Sequence, residues 1–267
     1  MDEAEARLHL RTVWISDLHL GSRDCQADAL LDFLRAIRCD TLYLVGDVID
    51  GWRLRRRWHW PRAHEEVLQR ILAKVRAGTR VILVPGNHDA FVRNYASQRI
   101  VGVEVHDDLV HVTAEGRRLW VTHGDAFDTT LHATSALLAI GNLAYSAVLA
   151  ASYRLNAVRR RLGLPYWSLA QHLKLRLGRV QRYIADFEVA AVRATQQRGL
   201  DGVVCGHIHH AGMRTIDGIL YCNDGDWVES RTALVEHADG RLEMLACAGR
   251  DATLAQPASA ASPAWQP

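Results

Sequence analysis

Five short segments of the chain each end an apolar run with residues able to bind a metal. They are Asp17-Leu18-His19, Gly46-Asp47-Val48-Ile49-Asp50, Gly86-Asn87-His88-Asp89, His123-Gly124-Asp125 and Gly206-His207-Ile208-His209. The donors are carboxylates, imidazoles and one amide, with no thiolate among them. That set suits Mn²⁺, Fe²⁺ or Zn²⁺ better than Ca²⁺ or a structural zinc site. Asp17 and His19 are two residues apart, as are His207 and His209, so in an extended backbone each pair presents its side chains to one side. A single such segment would read as a core or surface histidine beside a turn aspartate. Five in this order imply a two-metal centre that cleaves phosphate esters or anhydrides. Two dications carry about +4, more than the carboxylates of Asp17 and Asp47 offset, so the centre suits an anionic substrate.

The elements that must position these residues follow from periodicity. Thr12–Ile15, Thr41–Val45 and Arg80–Val84 read as short buried strands, each running into a motif. Gln26–Ile37 and Ala63–Ala77 read as helices between them, with Leu30, Leu34, Val67 and Ile71 at helical spacing. Alternating strands and helices imply a largely parallel sheet covered on both faces, with ligands gathered at the carboxyl ends of its strands. Val101–Val105, His106–Thr113 and Leu119–Thr122 then read as consecutive strands, and Gly202–Cys205 as a buried one. Met213–Tyr221 and Thr232–Leu245 read as antiparallel strands with turns at Asp217-Gly218 and Asp239-Gly240. From about Asp128 to Arg182 the pattern is helical.

The set D-x-H, G-D-x-x-D, G-N-H-D, H-G-D and G-H-x-H resembles the calcineurin-like metallophosphoesterases from about Val13 to His210. The resemblance implies an α/β fold of the α+β sandwich type with a helical lid inserted. It divides the chain into a core over 10–127, a lid over 128–185, the rest of the core over 186–250, and a tail over 251–267 expected to lack structure. It implies two divalent ions, Mn²⁺ first and Fe²⁺ or Zn²⁺ otherwise. Asp17, His19 and His209 would bind one ion, Asn87, His123 and His207 the other, and Asp47 would bridge them. His88 would stabilise the transition state or protonate the leaving group, and Asp50 would fix its tautomer. Asp89, Asp125 and Asp128 are expected to support the ligands or fix loops, with contact to substrate the other reading for Asp128. The remaining histidines, among them His59, His64, His106, His111 and His237, read as surface or loop residues.

The segment between the fourth and fifth motifs bears on the substrate. No charged residue lies between Asp128 and Arg154. Leu131–Tyr153 is long enough to span a bilayer, but a single crossing would put His123 and His207 on opposite sides of it. A hairpin or lid over the site fits instead. Arg154, Arg159, Arg160, Arg161, Lys174, Arg176, Arg179 and Arg182 follow with apolar residues between them and no acid before Asp186. That composition suits an anionic membrane surface; an ordinary solvated helical cap is the competing reading. Lys174, Arg176 and Arg179 are the candidate substrate contacts. The arrangement resembles the UDP-2,3-diacylglucosamine hydrolases of lipid A biosynthesis, which implies cleavage of a nucleotide-linked glycolipid to UMP and a lipid monophosphate. The best-known branch has arginine where this chain has His88, which marks a divergent relative. A phosphodiesterase or phosphatase for a soluble ester is the enzymatic alternative, and a metal-free protein-binding scaffold the non-enzymatic one. Next to Asp50, Trp52-Arg53-Leu54-Arg55-Arg56-Arg57-Trp58-His59-Trp60 could hold a phosphate or a base, or only steer anions.

The 267 residues suit one large domain with an insertion, and 49% apolar with 23% charged residues is an ordinary globular balance. The net charge of +2 argues for neither nucleic acid nor membrane, and no nucleic-acid partner is expected. The five cysteines show no C-x-x-C pairing and read as reduced thiols. An acidic start without an apolar run predicts a cytoplasmic protein, peripheral on the inner face of the inner membrane if the lid docks there.

Overall fold

The computed structural model describes residues 8–130 and 178–247 without a break, together with 148, 151–152, 154–156, 158–159, 161–164, 167–169, 172 and 254–255. β1 (Leu8–Ile15), β2 (Ile37–Val45) and β3 (Arg80–Val84) pair in parallel, with Val13 opposite Leu42 and Leu42 opposite Val81. α1 (Ala27–Ala36) connects the first two strands; α2 (Gly51–Arg56) and α3 (Arg62–Arg76) connect the next two. Side chains alternate along each strand, so the sheet has two apolar faces. Val13, Ile15, Leu42 and Leu44 pack under α1 and α3 with Leu30, Leu34, Val67 and Ile71. Trp14, Tyr43, Val45 and Ile82 point the other way.

A second sheet, not more helices, covers that other face. β4 (Arg99–Ile100) and β5 (Val103–Val105) extend the first sheet at one edge. β6 (Leu109–Val112), β7 (Arg118–Val121), β8 (Gly202–Cys205), β9 (Gly212–Ile216) and β10 (Ile219–Asn223) form the second sheet in the order β6-β7-β8-β10-β9. β11 (Thr232–Glu236), β12 (Leu242–Cys247) and β13 (Leu254–Ala255) return to the first sheet, giving β13-β12-β11-β1-β2-β3-β5-β4. Leu119, Val121, Val204 and Cys222 of the second sheet meet Trp14, Tyr43 and Leu234 of the first. Each such buried side chain contributes about 1.5–3 kcal/mol relative to exposure. Val203, Cys205 and Tyr221 point outward to α4 (Gly178–Gln197), where Phe187, Ala191 and Val192 cover them. The layers run helices, sheet, sheet, helix, as the α+β sandwich class predicts.

Several details depart from the sequence reading. α2 was not anticipated; it buries none of its residues, so it carries no amphipathic signal. His64 and His111 are 2% and 8% exposed, and so belong to the interior rather than to the surface. Leu254–Ala255, inside the expected unstructured tail, pairs with Ala246 and Cys247. The cysteines are free thiols, four of them buried. Most of the expected lid lies outside the described residues, including Lys174 and Arg176 and the side chain of Arg179 in the first turn of α4. Among the described residues no helix is long and apolar enough to cross a membrane.

Candidate metal centre

The loops that follow β1, β2, β3, β7 and β8 bring the five motifs together at one end of the sandwich. Asp17, His19, Asp47, His207 and His209 all sit in the left-handed backbone region, with φ between 49° and 70°. Non-glycine residues rarely adopt it, and a cluster of them marks strain held by the surrounding structure at a working site. The strain is fixed by main-chain bonds between loops: the Asp17 N–H donates to Gly46 O at 3.0 Å and the His19 N–H to Asp47 O at 2.9 Å. Gly86 is required by close approach, because a Cβ there would overlap Asp47 Oδ1 and the His123 ring.

Three groups of donor atoms lie close enough to hold an ion among the described residues: Asp17, His19 and His209; His19, Asp47 and His88; and Asp47, His123 and His207. Asp17 Oδ1 is 3.1 Å from His209 Nε2 and 3.8 Å from His19 Nε2. Asp47 Oδ1 is 3.5 Å from His123 Nε2 while Oδ2 is 3.8 Å from His19 Nε2, so Asp47 faces both groups. His123 Nδ1 donates to Val45 O at 2.8 Å, which leaves Nε2 with its lone pair turned inward. Asp17 Oδ1, Asn87 Oδ1 and His123 Nε2 are buried without a hydrogen-bond partner in the structure. Buried polar atoms left in this way are costly, and a pair of bound cations would satisfy all three.

The electrostatics agree. Burial raises the Asp47 pKa, but His123 and His19 outweigh it and hold the carboxyl at about 2. Asp17, fully buried, is likewise kept well below the ordinary carboxylate range by His209, His123 and His19. Burial lowers the His123 pKa, yet Asp47 and Asp17 raise it to about 10. The two carboxylates thus draw positive charge into the cluster, and dications satisfy that demand with the imidazoles neutral. The donor set and its orphaned atoms fit two divalent ions.

Asp50 holds two rings at once. Its Oδ1 lies 3.0 Å from His88 Nδ1 and its Oδ2 3.3 Å from His19 Nδ1. Oδ1 also accepts from the Arg53 N–H at 2.9 Å and so caps α2. Burial works against its ionisation, but these bonds hold its pKa well below the ordinary range. The outer face of His88 is covered by Trp52, ring centroids 4.1 Å apart. Asp89 is the loop-fixing residue its position predicts. Its Oδ1 accepts from Gly86 N–H at 2.6 Å and its Oδ2 from Val48 N–H at 2.8 Å and Ile49 N–H at 3.3 Å. Asp125 accepts from Arg93 at 2.7 Å. Asp128 lies 2.6 Å from His207 Nε2 and accepts from the Tyr183 hydroxyl at 2.7 Å, which fits its reading as a residue that supports a neighbouring histidine.

The sequence reading passed over a layer of polar groups behind the ligands. Ser16 Oγ is 2.6 Å from both Asp17 Oδ2 and Asp224 Oδ1. One hydroxyl proton cannot serve both. Burial pushes the Asp224 carboxyl well above its ordinary value, which keeps a second proton in the pair. Asp226 accepts from the backbone N–H groups of Val228, Glu229 and Ser230, and the Trp227 N–H donates to Asp17 O at 3.1 Å. Asn223-Asp224-Gly225-Asp226-Trp227 reads as a turn in sequence, and its only other signal is three polar residues directly after an apolar strand.

A cleft of about 740 Å³ opens over the cluster and is lined by His19, Asp47, Asn87, His88, His207 and His209 together with arginines in and next to α2.

Comparison with known proteins places this architecture. The calcineurin-like phosphoesterase family model matches residues 10–211. The chain is similar to UDP-2,3-diacylglucosamine hydrolase of Aliivibrio fischeri, 25% identical over 246 residues that make up 85% of this chain and 94% of that one. It is also similar to the DNA polymerase II small subunit of Methanothermobacter thermautotrophicus, 26% identical over 160 residues; the match spans 46% of this chain but only 32% of that subunit. Among solved structures, Vps29 from Entamoeba histolytica superposes with a TM-score of 0.46 at 12% identity, over 90% of this chain and 93% of that one. With five ligand-bearing loops converging on one site and a family match over most of its length, the chain belongs to the calcineurin-like phosphoesterase family.

Proposed function

We propose that the protein hydrolyses the diphosphate of a nucleotide-linked glycolipid, UDP-2,3-diacylglucosamine or a close relative, to UMP and the lipid monophosphate. The observation that carries the hydrolytic part is the convergence of Asp17, Asn87 and His123, each with a buried unpartnered donor atom, on either side of Asp47. The substrate part rests on the likeness to the Aliivibrio enzyme over nearly its whole length.

In this reading Asp17, His19 and His209 would hold one divalent ion and Asn87, His123 and His207 the other, with Asp47 available to both; Mn²⁺ is the first choice. When bound, the two ions supply Lewis-acid charge at phosphorus and lower the pKa of water. The protein's own groups do the rest. His88, with Nδ1 held by Asp50, turns Nε2 toward the centre, 3.8 Å from Asp47 Oδ2. From there it donates to a phosphoryl oxygen or protonates the leaving oxygen. Trp52 keeps water off one face of that ring. Asp89 ties the loop carrying Asp47 to the loop carrying Asn87, so the two ligands keep their spacing. The lid over 128–185, with Lys174, Arg176 and Arg179, takes the lipid-bearing half of the substrate and docks the protein on the inner face of the inner membrane from the cytoplasm.

The test is purified protein with Mn²⁺ on UDP-diacylglucosamine, UDP-N-acetylglucosamine and bis-p-nitrophenyl phosphate. Release of UMP from the lipid substrate is the expected result, lost on chelation. Turnover confined to the soluble esters rejects the lipid reading, and no turnover of any of the three rejects the enzyme.

A further inference from the structure

Beside the metal cluster the cleft is rich in positive charge. Arg23, Arg53, Arg56 and Arg57 line it together with two carboxylates that are not candidate metal ligands, Asp24 and Asp50. Arg53 is committed: it pairs with Asp24 at 2.8 Å and reaches Asp50 at 3.6 Å. The side chains of Arg23, Arg56 and Arg57 make no hydrogen bond or ion pair among the described residues. These arginines are not on a loose tail. α2 is pinned at its start by the Asp50 cap and by Trp52 against His88, so its guanidinium groups are carried at a fixed place beside the reacting end of the cleft.

Cationic side chains next to a centre that holds two dications repel it unless an anion lies between them. Guanidinium forks match phosphate oxygens in pairs, which a steering charge does not require. The cleft is one continuous space from His207 and His209 to Arg56 and Arg57. We infer that this arginine wall is a second anion subsite, which takes the phosphate adjacent to the one on the metal cluster and so selects substrates with two linked phosphates over simple phosphodiesters. The inference rests on the phosphohydrolase reading and adds to it the residues that read the second phosphate. It assigns Arg56 and Arg57 to substrate selection and not to the bond-breaking step.

The experiment is calorimetric binding to Mn²⁺-loaded protein of the non-hydrolysable α,β-methylene analogue of UDP and of UMP, for wild type and for Arg56→Gln/Arg57→Gln. Wild type should bind the two-phosphate ligand at least tenfold more tightly, at 0.15 M and still at 0.5 M NaCl. The double variant should bring the two ligands within about twofold of one another, with UMP affinity nearly unchanged. α2 buries no residue, so the variant keeps the fold, and a thermal melt checks it. Equal weakening of both ligands means diffuse steering and overturns the subsite, as does an undiminished preference in the variant or none in wild type. Hydrolysis of bis-p-nitrophenyl phosphate, which has one phosphate, tests the enzymatic reading separately. Its absence with the two-phosphate preference intact removes the reading and leaves the subsite, and the converse removes the subsite alone.

Discussion

Asp89 ties the β2 loop to the β3 loop, and removing it should loosen the metal centre without touching a ligand. The carboxylate is 1% exposed and accepts two short hydrogen bonds, from Gly86 and Val48, and one longer one from Ile49. A hydrogen bond to a charged group is worth about 1.5–3 kcal/mol, and a buried donor left without an acceptor costs about 1–3 kcal/mol. Asp89→Ala orphans two well-buried N–H groups, so the loss should be about 3–5 kcal/mol. Asp89→Asn keeps one oxygen. In either amide orientation its NH₂ faces an N–H, so about 1–3 kcal/mol should be lost. Asp47 and Asn87 lie on the two loops that come apart, and removing partners of this kind lowers metal affinity about 10–100-fold. Urea unfolding of the metal-free protein gives the first quantity and calorimetric Mn²⁺ titration the second. A variant that loses less than about 1 kcal/mol and binds Mn²⁺ as wild type does would refute the coupling between this carboxylate and the site.

Other perturbations separate the roles of neighbouring groups. Asp47→Asn should abolish turnover of bis-p-nitrophenyl phosphate; near-wild-type activity would remove Asp47 from the centre. Asp50→Ala frees His88 and His19 together and should lower kcat about 100-fold with KM much less affected, and a change confined to KM would contradict a positioning role. His64 is buried, accepts from the Gly21 N–H at 2.9 Å, and has its pKa lowered to about 4 by burial and by His59. Its folded value lies below its unfolded value, so its contribution is present above about pH 6.5 and is lost as pH falls toward 4. That loss is up to about 3 kcal/mol. His64→Asn, which keeps an acceptor and cannot titrate, should flatten this part of the stability profile, and an unchanged slope in urea melts at pH 7.5 and pH 5 would exclude His64 as its source.

The convergence of the motif residues was legible in sequence because each motif lies directly after a buried strand, and strand ends place neighbours at fixed spacing. The ties among them were legible in part: Asp50 and Asp89 fall inside the motifs. Asp224 and Asp226 were not legible, since D-G-D after a strand has the composition of any turn and only burial distinguishes it. What covers the parallel sheet was not legible in its strands for a related reason. Trp14, Tyr43 and Val204 are apolar whether a helix or a second sheet covers them, so alternation shows that a face is buried and not by what. α2 was hidden because a helix held by a cap and one ring contact needs no apolar stripe.

In the proposed centre Asp17, His19, Asp47 and Asn87 would come from loops of the first sheet and His123, His207 and His209 from loops of the second. Two ions bound there would act as a cross-link between the sheets, joining residues as distant in the chain as Asp17 and His209. Such a link requires both sheets to have docked, and an interaction absent from the transition state slows unfolding without changing the folding rate. Mn²⁺ should therefore slow unfolding in stopped-flow measurements while leaving the refolding rate in place. An equal acceleration of refolding would mean that the five loops meet early. On this view the ions confer a long native lifetime as well as reactivity, and a chelated protein is one whose two halves separate more readily.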